Sequence, residues 1–561
     1  MKNKGVIACL VSAVVSAVLL FASFPPLGEV VDILFALVPL LVVSRFCGVK
    51  RSAWVWGLAG LLFWVSSLSW LVAISKNGGP LPLVILGLVG LSSICGAYFA
   101  AFGAIDAFLW RRIAAVPSAK KRHAVRILAL VLVEPVLWAG LEWVRGWLFT
   151  GFAWNYLGTA VAQFPQYALP ARFGGVYLVS AMTLAVNGVF ATLMERVLAR
   201  MLRNENEEVL PSKFLRIVRN IETALPLAVV VSLIALAERD AASSVSGETL
   251  PVKATLVQRN APCIFKAGGE RENPYEAFGS LLATAEYAKP DLVVWAESAM
   301  AEFGHLRHPR ASAAAKFVAG KTGGASLFAG GDLVEDANGS CRYYNGAAVY
   351  NADGDTIGVY AKRHLVPFGE YIPFDKWIPP LQKLSPIGVS LYPGKDTTVK
   401  FEARKADGNG AAKAVEVKLG PLICFEDTDS SLARASARDG AQMLVLITND
   451  SWFSHSVEAE QHAWQSVLRS IETGLPMLRT GNSGVTGSIS AKGFANWLYD
   501  GNGKLLVDAK GSQTVSIEVP ATPVKTIYTR LGDWPLAILF SLFLAVLFFP
   551  AAKSRISASE R

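Results

Sequence analysis

The stretch Gly420-Pro421-Leu422-Ile423-Cys424-Phe425-Glu426-Asp427 decides how the chain is read. An apolar run stops on a thiol and is followed at once by two carboxylates. Apolar residues without polar alternation mark a strand covered on both faces, as in α/β layers with buried sheets. Reactive side chains just beyond such strands sit where α/β folds usually place their sites. Two further segments share the design. Leu292-Val293-Val294-Trp295-Ala296-Glu297-Ser298-Ala299 ends an apolar run on Glu297, and Tyr360-Ala361-Lys362-Arg363-His364-Leu365-Val366-Pro367-Phe368-Gly369-Glu370-Tyr371-Ile372-Pro373 carries Lys362 and Glu370. A carboxylate, an amine and a thiol ending strands supply a base, a cation and a nucleophile.

These segments lie in a region, about 250 to 520, where short β-rich runs alternate with Ala-rich helical stretches. Strands are predicted at 252–257, 292–295, 326–329 and 443–447, and helices at 274–288 and 310–321. The turn residues Asn351-Ala352-Asp353-Gly354-Asp355 between two apolar runs predict a β-hairpin. No internal repeat interrupts this pattern. The region is long enough for one independent core.

Outward from it the chain turns apolar. Of 561 residues, 52% are hydrophobic and 17% charged, and the mean hydropathy is +0.38, a balance suited to a chain partly embedded in lipid. Seven candidate spans precede residue 240, at roughly 6–24, 30–44, 53–74, 82–109, 127–144, 173–195 and 223–238, and an eighth lies at 533–551. The first has Lys2 and Lys4 before it but no small-residue cleavage site after it, and reads as an uncleaved anchor. Lys and Arg crowd the loops after spans two, four, six and eight and are nearly missing from the others, which predicts cytoplasmic termini and an external segment 240–530. Eight spans make that orientation self-consistent. The net charge of +9 therefore belongs to membrane loops, and no nucleic-acid partner is expected.

Between spans five and six, Glu142-Trp143-Val144-Arg145-Gly146-Trp147 and the aromatics that follow have two readings. Either they form an interfacial belt with a local Glu142–Arg145 pair, or Arg145 meets a lipid phosphate. Six cysteines show no paired spacing, so neither a disulfide framework nor a zinc site is implied. His305 and His308 lack further ligands, and no metal is expected. Cys263 and Cys341 lie in the compartment where a disulfide is permitted, and their pairing stays open.

Taken singly, Cys424 reads as a small buried hydrophobe, Glu426 and Asp427 as strand-end charges, Glu297 as a cap partner and Lys362 as a solvated hairpin residue. Taken together, three such segments in order resemble the nitrilase superfamily, whose set is Glu, Lys and Cys on an α-β-β-α sandwich. The phrase from Lys362 to Pro373, joined to about eight helical spans, is similar to the apolipoprotein N-acyltransferase family. Thr448-Asn449-Asp450-Ser451-Trp452-Phe453, Gln461-His462, and Arg479 with Asn482, Ser483, Gly484 and Thr486 add to the resemblance.

The resemblance implies a polytopic α-helical membrane domain over 1–240, an inserted α/β catalytic domain over 241–528, and a last span with a cytoplasmic tail over 529–561. It implies a place in the bacterial inner membrane, with the catalytic domain periplasmic and no cofactor; a monomer is the default expectation. Glu297 is then the base, Lys362 the oxyanion partner and Cys424 the nucleophile that takes an acyl group from a phospholipid and passes it to a diacylglyceryl-cysteine lipoprotein. Glu370, Glu426 and the backbone N–H of Phe425 support the site. Trp452 and Phe453 either border an acyl channel or pack in the core. Two residues depart from the family's usual pattern: Ala296 replaces a proline, and Phe425 a frequent tyrosine, so no hydroxyl acts there. The rival reading is a membrane-tethered amidase that sends the same thioester to water. One span suffices for a tether, so eight favour a lipid substrate.

Overall fold

The computed structural model describes residues 2–201, 213–244, 247–262, 272–337, 340–373, 375, 377–378, 380, 390–406 and 412–548. The chain divides into two compact units, one of residues 1–69, 85–239 and 531–561, the other of residues 70–84 and 240–530.

The first unit is helical. Six described helices are long and apolar enough to cross a membrane: Gly5–Ala22, Val49–Asn77, Leu81–Ala114, Ala119–Thr150, Ala171–Met201 and Arg216–Ser244. Trp534–Phe548 is apolar but only 15 residues long within the described part. The span expected over 30–44 is instead broken into a short 3-10 turn, Val30–Leu34, and a nine-residue helix, Val38–Phe46. Nine residues rise about 14 Å, far less than a hydrocarbon core. The break is tolerable because Asn187, on Ala171–Met201, accepts from the N–H of Leu37 at 2.9 Å and donates to the carbonyl of Ile33 at 2.8 Å. Backbone polar groups freed at membrane depth thus find a protein partner. Small residues let helices approach closely: a Cβ on Gly103 would lie 2.4 Å from the Trp56 ring, and one on Gly140 2.2 Å from Phe540.

The second unit holds twelve described strands: β1 (Thr249–Gln258), β2 (Leu292–Trp295), β3 (Ser326–Ala337), β4 (Ser340–Tyr350), β5 (Thr356–Ala361), β6 (Val399–Ala406), β7 (Ala412–Ile423), β8 (Met443–Thr448), β9 (Met477–Gly481), β10 (Gly487–Ile489), β11 (Ala495–Trp497) and β12 (Gly511–Pro520). They form two six-stranded sheets, ordered β12-β1-β2-β3-β4-β5 and β11-β10-β9-β8-β7-β6. The parallel pairs β1–β2, β2–β3, β7–β8 and β8–β9 are central, and antiparallel pairs flank them.

Side-chain parity explains the layers. Leu292, Val294, Phe328, Ala347 and Val349 face Ile423, Met443, Val445, Ile447 and Leu478 in one core between the sheets. Their chain neighbours Val293, Trp295, Leu327, Ala329 and Ala348 turn to the other face and pack on helices Pro274–Leu281, Ala283–Ala288 and Pro309–Thr322. Helices Ser430–Arg438 and Glu458–Thr473 follow β7 and β8, and both supply buried residues. Both faces of the central strands β2 and β8 are covered, which is why they are apolar nearly throughout. The hairpin predicted at 347–360 joins β4 to β5, its turn closed by the Asp355 N–H donating to the Asn351 side chain at 2.8 Å.

Candidate active site

Glu297 lies two residues beyond β2, Lys362 immediately after β5, and Cys424 immediately after β7. The first two belong to one sheet and the third to the other, so only the sandwich brings them together. Gly330 on β3 is part of this meeting. A Cβ there would come within 2.7 Å of both the Glu297 Cα and the Ile447 side chain of the facing sheet.

Lys362 is 1% exposed and its partners are acids. Its Nζ donates to Glu370 Oε1 at 2.9 Å and lies 3.9 Å from Glu297 Oε1. Asn345 on β4 donates to both carboxylates, at 2.7 Å to Glu297 and 2.6 Å to Glu370. The Val366 N–H donates to the other Glu370 oxygen at 2.8 Å, which fixes that carboxylate against Lys362. Burial disfavours the Lys362 ammonium, but Glu370, Cys424 and Glu297 outweigh it and hold the amine above its usual range. Glu297 is 8% exposed. Burial pushes its carboxyl up, Lys362 opposes, and Glu370 adds to the rise. Such a carboxyl is a better proton acceptor than an ordinary glutamate.

Cys424 occupies an elbow with φ +52°, a left-handed conformation uncommon for a side chain with a Cβ. The short turn Cys424–Thr428 follows it. Burial first, then Glu297, raises the thiol well above its ordinary range, with Lys362 opposing. The sulfur is therefore a thiol at rest and needs a base when it attacks. Glu426 is the peg of this elbow. Its carboxylate accepts from the N–H groups of Ile423 at 2.8 Å, Arg363 at 2.6 Å and His364 at 3.1 Å, and from the Tyr360 hydroxyl at 2.7 Å. One side chain thereby ties the strand end before Cys424 to the segment after Lys362. Burial raises its carboxyl, while the Arg363 guanidinium and the Tyr360 hydroxyl act the other way. Phe425 stacks at a tilt on His364, ring centroids 6.0 Å apart.

Behind the elbow is a buried charge cluster. His462 Nε2 is 2.9 Å from Asp427 Oδ1, and Nδ1 is 3.2 Å from Asp450 Oδ1. Arg479 on β9 reaches Asp427 at 3.1 Å and Asp450 at 3.5 Å. Burial disfavours the imidazolium, but the paired carboxylates prevail and push His462 up to about 10. Asp450, Glu458 and His462 put one ligand atom each within 4.8 Å of one another, a spacing that admits a metal. The donor chemistry does not fit one: both ring nitrogens face carboxylates, and Arg479 already supplies a cation to the same acids. Gly484 closes the cluster, since a Cβ there would sit 1.8 Å from Asp450 Oδ2. Gly484→Ala is expected to cost roughly 2–3 kcal/mol by overpacking a charged pair, read as a lower melting temperature of the detergent-solubilised protein.

The other candidates fall elsewhere. Arg145, in the helical unit, is 5% exposed. It donates to the carbonyls of Phe152 and Trp154 at 2.8 and 2.9 Å and lies over the Trp64 and Tyr156 rings. Its guanidinium clamps the loop from inside. Glu142 accepts from the Leu157 N–H at 2.8 Å. Phe453 meets Trp70 edge-on at 4.8 Å, and Asn77 donates to the Trp452 carbonyl at 2.9 Å. His305 and His308 each accept a backbone N–H through Nδ1. Cys341 is exposed, and Cys263 lies outside the described residues. Sequence reasoning missed Asn345 as the shared donor and read Asp427 as a strand-end charge. A polar side chain one residue before the apolar run Gly346–Tyr350 was the available signal for the first.

Comparison with known proteins agrees with both units. Residues 16–189 match the family described as the apolipoprotein N-acyltransferase N-terminal domain, and residues 251–520 match carbon-nitrogen hydrolase. The apolipoprotein N-acyltransferase of Geobacter metallireducens is 32% identical, covering 93% of this chain and 91% of that protein. That of Photobacterium profundum is 27% identical, covering 89% and 87%. An amidase from Nesterenkonia sp. is similar over 51% of this chain and 94% of its own, at 14% identity and a TM-score of 0.34. With its helical N-terminal part, its carbon-nitrogen hydrolase domain and a relative 32% identical over nearly its whole length, the chain belongs to the apolipoprotein N-acyltransferase family.

Proposed function

We propose that the chain moves a fatty acyl group from a phospholipid to the α-amine of a diacylglyceryl-cysteine lipoprotein, through a thioester on Cys424. The observation that carries this reading is Lys362, set between Glu297 and Glu370 and in electrostatic reach of Cys424. Glu297 takes the thiol proton as the sulfur attacks the ester carbonyl. Lys362 and the Phe425 N–H stabilise the oxyanion. The C–O bond breaks, Glu297 returns the proton to the departing lysophospholipid, and the acyl group stays on sulfur. The amine then attacks, Glu297 receives its proton, the C–S bond breaks, and the thiolate is reprotonated. Glu370 and Asn345 keep Lys362 and Glu297 aligned. Trp452, half-buried beside Phe453, borders the acyl path. The catalytic unit is periplasmic and both termini are cytoplasmic, in accord with the basic loops. The enzyme acts as a monomer.

The test is intact-mass spectrometry after incubation with phospholipid. A hydroxylamine-sensitive acyl adduct, discharged by a diacylglyceryl-cysteine peptide, is expected. Discharge equally fast by water would favour the amidase reading.

The raised Glu297 carboxyl also sets a pH limb. The basic form is lost as pH falls through its elevated value, so kcat/KM is expected to drop on a limb above the ordinary glutamate range. Lys362, held above its usual range, contributes no alkaline limb below pH about 10. A profile flat down to pH about 4.5, the ordinary glutamate value, would remove Glu297 as the base.

A further inference from the structure

We propose that His462 is a positioning residue of the reaction: as an imidazolium held between Asp427 and Asp450, it braces the Cys424 carbonyl and cancels the second carboxylate behind the nucleophile. The inference rests on Cys424 being the nucleophile and adds a residue that never touches substrate.

Geometry makes the first half of the case. His462 Nε2 is 3.3 Å from the carbonyl oxygen of Cys424 while donating to Asp427 Oδ1 at 2.9 Å. The imidazole thus grips two points of the turn that carries the nucleophile, at the residue whose φ is +52°. Arg469 grips the same turn from below, donating to the carbonyls of Asp427 and Thr428 at 3.0 and 2.9 Å. An unfavourable backbone conformation persists only where its surroundings over-determine it. Here helix Glu458–Thr473 supplies both braces.

Charge makes the second half. Among the described residues, four ionisable groups face His462: Asp427 on the elbow turn, Asp450 after β8, Arg479 on β9, and Glu458 one helical turn earlier at 3.7 Å. Burial first, then Asp450, pushes the Glu458 carboxyl well up, which favours its neutral form beside the two paired carboxylates. Two carboxylates therefore face two cations, and His462 is one of them. A neutral side chain in its place leaves a net negative charge behind Cys424. Asp450 already disfavours the thiolate, so an uncompensated Asp450 disfavours it more.

The test measures alkylation of Cys424 by iodoacetamide against pH in the full-length enzyme, resolved by peptide mass spectrometry from exposed Cys341. In His462→Gln the apparent thiol pKa is expected to rise by about one unit, cutting the neutral-pH rate about tenfold. Acyl transfer should lose kcat with KM unchanged. Asp450→Asn alone should move the thiol the opposite way, and this arm stands if His462→Gln fails to fold. The double variant Asp450→Asn/His462→Gln restores neutrality and should return the profile towards wild type. Unchanged profiles in all variants, with only a lower melting temperature, would overturn the proposal and make His462 a packing residue. If wild-type Cys424 resists alkylation throughout while Cys341 reacts, the nucleophile reading itself falls, and the proposal with it.

Discussion

Replacing Cys424 with alanine lowers acyl transfer by at least about ten-thousandfold, because among the described residues no second thiol stands at the strand end. The substitution removes one sulfur from a half-buried site. It leaves Glu426 and its four donors in place, so the elbow keeps its shape. Folding should change by less than about 1 kcal/mol, and the melting temperature by a few degrees at most. Activity measured with a labelled phospholipid and a diacylglyceryl-cysteine peptide, beside a melt of the same preparation, separates the two effects. Transfer within a hundredfold of wild type would mean that the acyl group passes directly from lipid to amine.

Lys362→Met is expected to do two kinds of damage. The oxyanion loses its cation, which lowers transfer by about a thousandfold. Glu297 and Glu370 lose the ammonium that faces them at 3.9 and 2.9 Å. A buried pair broken on one side costs roughly 3–5 kcal/mol. The pH dependence identifies the cause. Without the ammonium, which opposes the rise of the Glu297 carboxyl, that carboxyl titrates higher still, and repulsion from Glu370 is relieved as it takes up a proton. The variant should therefore lie closest to wild type in melting temperature near pH 5 and furthest from it near pH 8. An equal loss at both pH values would point to packing of the lysine stem instead.

The ends of two catalytic strands were readable because both their faces are covered: Leu292–Trp295 is apolar at every position with Glu297 two residues past it, and the buried Leu422-Ile423 end of β7 stops on Cys424. The Tyr360–Pro373 phrase made Lys362 and Glu370 legible through its motif, after the buried Tyr360-Ala361 end of β5. What escaped was convergence. Asn345 is marked only by its place before the apolar run Gly346–Tyr350, and its role follows from β4 lying beside β5. The Asp427, His462 and Arg479 cluster joins residues up to 52 positions apart, and nothing along the chain says that three charges will share one interior. Hydropathy likewise could not find the break in the second apolar segment, since Asn187, which satisfies it, is 150 residues away. The surroundings of Arg145 were equally illegible, since one of the two rings over its guanidinium is Trp64, far away along the chain.

The segment Trp70–Val84 has a consequence for how the protein is made. It precedes a long apolar helix, yet it packs into the catalytic unit, with Trp70 donating to Gln461 at 3.3 Å and Asn77 to Trp452. Those partners leave the ribosome some 375 to 391 residues later. At bacterial elongation speeds of about 5–20 residues per second, the segment waits roughly 20 to 75 s for its counterpart. During that interval its aromatic face has no cognate surface, and the catalytic unit cannot finish folding until both ends of the wait have been translated. The catalytic unit cut out as residues 240–530 would be born without this piece, leaving the Phe453 ring uncovered on the side where Trp70 belongs.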